Sequence, residues 1–227
     1  MDEAKIVPIA HIRCDLREKF GAPRQAGVVP ALEGRIVFEP AYRTPEALRG
    51  IEGFSHLWLI WQFSENLRAE GDWSPTVRPP RLGGNVRMGV FATRSPFRPN
   101  ALGLSCVRLL AVERDGPEGP SLRVGGADLV DGTPIFDIKP YVPYADCHPE
   151  ALSGFAPDPG ETLEVLFLPG TEEKIPAGKR DALRGVLAND PRPRYQSDPD
   201  RVYGLRFGAQ NVKFTVDGKR LTVIDVE

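Results

Sequence analysis

His56-Leu57-Trp58-Leu59-Ile60-Trp61-Gln62-Phe63 is the stretch on which the fold turns. Its middle, Leu57–Trp61, is apolar throughout and rich in aromatic and branched side chains. It is too short for a core helix, and its composition is that of a strand with neighbours on both sides. Similar runs lie outward from it: Lys5–Arg13, Arg35–Phe38, Val86–Thr93, Leu104–Glu113, Leu122–Val124, Asp137–Tyr141 and Thr162–Leu168. Each is bounded by Gly or Pro, as strands are. The chain holds 23 Gly and 23 Pro in 227 residues, enough punctuation to exclude a bundle of long helices. No strand–helix–strand alternation is visible, which disfavours a parallel doubly wound sheet. The expected fold is mainly β, a closed or nearly closed antiparallel barrel, followed by a small α+β C-terminal domain.

Thr44-Pro45-Glu46-Ala47-Leu48 reads as a short helix start, with a hydroxyl cap and Pro at the first helical position. Later, Lys179–Ala188 places Leu183, Val186 and Leu187 on one helical face. Three strands then close the chain, at Val202–Phe207, Asn211–Val216 and Arg220–Val226, with Asp217-Gly218 as a hairpin signal before the last. We place the domain boundary at Pro169-Gly170, giving a barrel over residues 1–169 and a C-terminal domain over residues 170–227. Between Lys174 and Arg220 eleven Lys and Arg face five acids, so this part reads as basic on an acidic body. That asymmetry points to contact with a polyanion, the alternative being an ordinary solvated surface.

Composition excludes other classes. With 41% hydrophobic and 26% charged residues the chain is of ordinary globular type. No apolar run approaches the ~18 residues of a membrane span. The start, Met1-Asp2-Glu3-Ala4-Lys5, lacks a secretory pattern. Cys14, Cys106 and Cys147 are not at metal spacing and read as reduced thiols, so a cytoplasmic protein without a metal or a membrane partner is expected. Glycine-rich dinucleotide loops, phosphate loops and serine elbows are absent from the sequence. His56, inside the apolar run, reads as a core histidine.

Three polar clusters remain. Phe91-Ala92-Thr93-Arg94-Ser95-Pro96-Phe97-Arg98-Pro99-Asn100 holds two arginines in a proline-stiffened loop, suited to a carboxylate or phosphate. The alternative is a structural loop whose arginines bond backbone carbonyls. Leu129–Tyr141 carries the turn Asp131-Gly132-Thr133-Pro134, with Asp137, Lys139 and Tyr141 close behind. Gly21–Gly27 is a third preorganised loop, with Arg24 and Gln25.

Pro23-Arg24-Gln25, Gly53–Trp58, Arg78–Gly84, Gly89–Asn100 and Asp128–Tyr144, with Ala188–Pro193 and Tyr203-Gly204, together resemble the TsaA/TrmO (YaeB-like) family. The resemblance implies a β-barrel tRNA methyltransferase that uses S-adenosyl-L-methionine without a Rossmann fold. It implies methylation of N6 of N6-threonylcarbamoyladenosine at position 37, just 3′ of the anticodon. It also implies a homodimer with the cofactor near the interface. Cofactor contacts carried over by motif are Pro23, Arg24, Gln25, Ser64, Glu65, Arg94, Leu104, Asp131, Gly132, Thr133 and Pro134. Ser64 stands where relatives carry a histidine, so its transfer is the least direct. Arg94 would pair with the cofactor carboxylate, Glu65 with its ammonium, and Asp131 with ribose hydroxyls or the ammonium. Asp137 and Tyr141 are candidate bases. Arg98, Lys139, Arg192, Arg194 and Arg201 would contact phosphates of the tRNA anticodon arm, with Tyr195 a stacking candidate. The rival reading is a non-catalytic barrel that binds a nucleotide-like ligand or RNA in a regulatory role.

Overall fold

The computed structural model describes residues 5–66, 73–192 and 198–227. Its strands run Ala10–Cys14 (β1), Glu33–Phe38 (β2), His56–Gln62 (β3), Thr76–Val77 (β4), Met88–Gly89 (β5), Leu102–Glu113 (β6), Ser121–Gly125 (β7), Pro134–Pro140 (β8), Glu164–Phe167 (β9), Tyr203–Phe207 (β10), Gln210–Asp217 (β11) and Arg220–Val226 (β12). Six of them close an antiparallel barrel in the order β1-β2-β7-β6-β3-β8. A second sheet has the order β10-β11-β12-β9. The fold is therefore the mainly β barrel with a smaller α+β part that the sequence implies.

The barrel interior follows from alternation. Along β3, Leu57, Leu59 and Trp61 are buried while His56, Trp58, Ile60 and Gln62 are half-buried on the outside. The run is apolar on both faces, yet only one of them enters this core. His56 is accordingly an outer-face residue, its Nδ1 2.9 Å from Ser55 Oγ and its ring against Tyr141, and not a core histidine. Inside, Ala10, Ile12, Ile36, Leu57, Leu59, Val107, Leu122, Val124 and Ile135 form one apolar cluster. A bulge in the β3–β8 ladder pairs Ile60 with Asp137 but Trp61 with Ile135, leaving Phe136 as the extra residue.

The second core crosses the expected boundary. The helix Arg180–Ala188 buries Ala182, Leu183, Val186 and Leu187 against the second sheet, as its period predicts. Joined to them are Leu16, Val29 and Leu32 from the connection between β1 and β2, with Phe20 and Val28 packed alongside. Leu16 forms a β-bridge with Phe207, and the Gly208 amide donates to Asp15 O at 2.8 Å. β9 pairs in parallel with β12, so the 162–168 run belongs to the second sheet and not to the barrel. Its partner lies more than fifty residues downstream, a pairing that local sequence cannot announce.

Three further expectations change in detail. Val86–Thr93 is a two-residue strand followed by a 3-10 turn at Val90–Ala92, not a full strand. The 44–48 segment is a 3-10 turn, and Thr44 donates to the Glu46 carboxylate at 2.6 Å without capping the backbone. In the last hairpin Asp217 pairs with Arg220, so the loop is Gly218-Lys219 and Asp217 stays in the strand.

The charge asymmetry also depends on where the chain is cut. Over residues 160–227, the full extent of the second sheet and its helix, eleven basic residues meet eleven acids. They pair: Lys174 with Asp225 at 3.0 Å, Arg184 with Glu172 at 2.7 Å, Lys219 with Glu161 at 2.8 Å and Arg220 with Glu164 at 3.2 Å. The basic character read from the sequence is neutralised by acids that lie just upstream of Lys174 and just downstream of Arg220.

Gly21 lies against the second core. A Cβ there would lie 2.4 Å from Leu205 Cδ1 and 3.4 Å from Val186 Cγ1, on a backbone at φ +90°. Gly21→Ala is expected to cost about 1–3 kcal/mol from overpacking and about 1–2 kcal/mol from the left-handed backbone. Urea denaturation would read this as a lowered midpoint, and an unchanged midpoint would contradict the packing described.

Candidate functional site

The candidate site is assembled around the irregular segment from Cys14 to Ala26, which runs from the end of β1 across one end of the barrel. On one side it receives the Asp131 turn. Asp131 Oδ1 accepts from the Cys14 amide at 2.9 Å, and Oδ2 pairs with Arg17 at 2.6 Å. The Asp131 amide donates to Leu16 O and the Gly132 amide to Ile12 O, both at 2.8 Å. Thr133, buried, donates its hydroxyl to Val130 O at 2.7 Å. Gly132 sits at φ +80°, the position a glycine suits in so tight a turn. Pro134 then enters β8 opposite His11. Each Asp131 oxygen keeps a second lone pair, since an ionised carboxylate offers about four acceptor sites.

On its other side the segment receives the two remaining motifs. The Arg94 guanidinium donates to Gln25 Oε1, joining the proline-stiffened loop directly to the first loop. Lys19 donates to the Glu65 carbonyl and, at 2.7 Å, to Asn66 Oδ1, which fixes the turn Ser64–Asn66 at the end of β3. The Phe63 amide donates to Ala101 O at 2.9 Å, so this turn lies beside the start of β6. Pro23 is buried, while Arg24, Glu65 and Arg94 are exposed. The structure thus brings together the first loop, Ser64–Glu65, Arg94 and Asp131–Pro134 at one end of the barrel.

Leu104 differs from the rest. It lies on the outer face of β6, 57% exposed, in one cross-strand row with Ile60 and Asp137. Asp137 is on that outer face too, its Oδ2 3.0 Å from Lys139 Nζ and its Oδ1 accepting the Ile138 amide at 2.9 Å. The Tyr141 ring lies over Trp58 with centroids 5.8 Å apart. Partial desolvation, with Cys147, Cys106 and Asp146 nearby, pushes the Tyr141 hydroxyl above its ordinary value. A raised phenol pKa leaves still less of the tyrosinate form near neutral pH, which weighs against Tyr141 as the resting base.

The arginines expected at RNA are mostly engaged in the protein. Arg98 donates to Thr93 O at 2.8 Å and lies 5.9 Å from the Phe91 ring centre, so it braces its own loop. Arg192 makes two contacts with Asp190, at 2.9 and 3.1 Å, with only 11% of its side chain exposed. The hydrogen bond to Asp190 leads the effects that raise its already high pKa. Arg201 is exposed and lies 5.3 Å from the Tyr203 ring centre. Arg194 and Tyr195 lie outside the described residues.

One further group at the site, Asp128, opens the Asp128–Tyr144 motif but carries no role in the sequence reading. Asp128 Oδ1 accepts from Ser105 Oγ at 2.6 Å, and Ser105 Oγ in turn accepts from Trp61 Nε1 at 2.9 Å. Burial pushes the Asp128 carboxyl up, against lowering contributions from Ser105, from nearby amides including Ala26, and from Arg94. The available signal was an acid between Ala127 and Leu129, both buried. Burial also pushes the Cys14 thiol up to about 12, and its Sγ donates to Leu129 O, so this thiol is structural.

These donors suit the cofactor that the sequence resemblance implies. S-adenosylmethionine offers a carboxylate, an ammonium and ribose hydroxyls; the rim offers the cation Arg94 and the carboxylates Glu65 and Asp131. Among the described residues no cluster of three or more metal-ligating side chains occurs, and no helix is long and apolar enough to cross a membrane.

Comparison with known proteins identifies the family. The pattern of the tRNA-methyltransferase O N-terminal domain matches residues 11–147, and that of the TrmO C-terminal domain matches residues 160–227. A tRNA (adenine(37)-N6)-methyltransferase of Escherichia coli is 40% identical, covering 100% of this chain and 99% of the relative. A probable S-adenosyl-L-methionine-binding protein of Pyrococcus abyssi is 39% identical, covering 65% of this chain and 73% of its own. The crystal structure of TrmO from Pseudomonas aeruginosa superposes with a TM-score of 0.81 at 33% identity, covering 100% of this chain and 99% of that one. With both halves matched and a relative 40% identical along the whole chain, this chain belongs to the tRNA-methyltransferase O family.

Proposed function

We propose that this chain methylates N6 of N6-threonylcarbamoyladenosine at position 37 of tRNA. The broader activity follows from the family: an S-adenosylmethionine-dependent tRNA adenine-N6 methyltransferase. The observation that carries the reading is the convergence of the Gln25–Arg94 contact, the Lys19-held turn at Glu65 and the Asp131 turn on one short segment. The threonylcarbamoyl group is the finer claim and rests on the motif resemblance. Retention of Arg94 and of Asp131–Pro134 favours catalysis over the purely binding alternative, and the Ser64 departure leaves these groups in place.

When bound, S-adenosylmethionine supplies an electrophilic methyl group. The chain's own residues act by placement. Arg94, oriented by Gln25, presents a cation for a carboxylate; Glu65, on its tethered turn, presents an anion for an ammonium; Asp131 accepts from hydroxyls with its remaining lone pairs. Holding two reactants in register can be worth about 7–11 kcal/mol, so rigid loops matter more here than strong acids or bases.

A homodimer is part of the proposal. Leu104 is an expected cofactor contact yet lies exposed on the barrel exterior, beside the half-buried Trp58 and Ile60. A second copy over this face would cover all three and enclose a ligand there. Sedimentation or mass photometry is expected to give about twice the 25.0 kDa chain mass; a monomer at working concentration would remove the interface from the proposal.

Radiolabelled cofactor with tRNA that carries threonylcarbamoyladenosine should give labelled nucleoside, and tRNA lacking that group should not. Arg94→Ala is expected to lower cofactor affinity by about 2 kcal/mol, roughly thirtyfold, as a lost charged hydrogen bond does. Binding of cofactor with no transfer to any tRNA would favour the rival.

Of the candidate C-terminal arginines among the described residues, Arg201 is the exposed one. Arg201→Glu should weaken tRNA binding and reduce its log–log salt slope by about one, leaving cofactor affinity unchanged. Equal loss of both affinities would contradict this separation of roles.

A further inference from the structure

The transfer requires a proton acceptor. The N6 lone pair of adenine, and still more that of a threonylcarbamoyl derivative, is delocalised, so the nitrogen must lose its proton as it reacts. Asp137 has one oxygen on Lys139 and the other on the Ile138 amide, and the raised pKa of Tyr141 leaves its base form scarce near neutral pH. Asp128 is placed otherwise. It lies three residues before the Asp131 turn, within the field of Arg94 and beside the Ala26 amide, so all three motif walls approach it. Beneath it the Trp61–Ser105–Asp128 chain runs into the barrel interior, where Ser105 is buried at 2% exposure. Gly103 permits that chain: a Cβ there would stand 2.3 Å from Trp61 Cε2. Ser105 holds one oxygen, Oδ1, in a fixed direction.

Resting on the methyltransferase reading, we infer that the Asp128 carboxylate is the base that takes the proton from the target N6. The N–H bond breaks, its proton passes to a carboxylate oxygen, and the electron pair stays on nitrogen. Burial makes this carboxyl more basic than an ordinary aspartate, while the Ser105 hydroxyl bond favours its charged form. The Trp61–Ser105 relay thus positions the base and tunes it.

The test compares wild type, Asp128→Asn, Asp128→Glu and Ser105→Ala on threonylcarbamoylated tRNA, with cofactor affinity measured by calorimetry. Asp128→Asn keeps the acceptor for Ser105 and should lower kcat by about 10²–10⁴-fold with unchanged cofactor affinity, and Asp128→Glu should restore part of it. Ser105→Ala removes the bond that favours the charged form, so the acid limb of kcat should move to higher pH; a merely structural Asp128 would leave that limb in place. Stability gives a readout free of activity. A raised carboxyl pKa stabilises the fold below the ordinary value of 3.8 and loses that contribution as pH rises through the folded-state value, so Asp128→Asn should gain on wild type over that rise. Wild-type kcat in Asp128→Asn, or parallel loss of cofactor affinity and kcat, would overturn the inference while leaving the methyltransferase reading intact. If wild type transfers no methyl group to tRNA, the reading itself falls and the base with it.

Discussion

Everything at the site depends on the burial of an irregular segment. Residues 15–32 have no helix or strand of their own, yet they carry Arg24 and Gln25 and bear the bonds to Asp131, Glu65 and Arg94. Leu16, Val29 and Leu32 hold them still by entering the core under the second sheet. Full burial of such a side chain contributes about 1.5–3 kcal/mol, several times what an exposed polar contact supplies. The second sheet is thus a clamp on the cofactor loop, and the Asp15–Lys179 and Arg17–Gly208 contacts mark its line of closure.

That arrangement also explains the electrostatics. A clamp made of charged strands facing solvent must balance its own charge, and Lys174, Arg184, Lys219 and Arg220 each do so with a neighbouring acid. Arg192 is held to Asp190 at the end of the helix, so its function is local bracing. Among the described residues, Arg94 and Arg201 are exposed arginines whose contacts are to an amide and to an aromatic ring instead of an acid.

Much of the barrel was legible because strands on a closed sheet alternate and end at Gly or Pro. The helix at Arg180–Ala188 was legible for the same periodic reason. What local sequence could not show was pairing at long range: β9 on β12, and Leu16 on Phe207. It also could not distinguish the two apolar faces of β3, which placed His56 inside when it lies outside. The clustering of Arg94 with Gln25 and of the Asp131 turn with β1 was legible only through motifs; composition gave anion binding and nothing finer. Asp128 stands at the head of a motif, yet its role was missed because that role comes from Ser105 and Trp61 on other strands.

The shared core has a temporal side. Arg17 and Gly208 touch, yet 191 positions separate them along the chain. During synthesis the first loop leaves the ribosome long before β10–β12 exist to receive Leu16, Val29 and Leu32. A barrel closed by β8 can form early, but its mouth stays unset until the final hairpin arrives. The order of synthesis therefore separates closure of the barrel from the setting of its mouth.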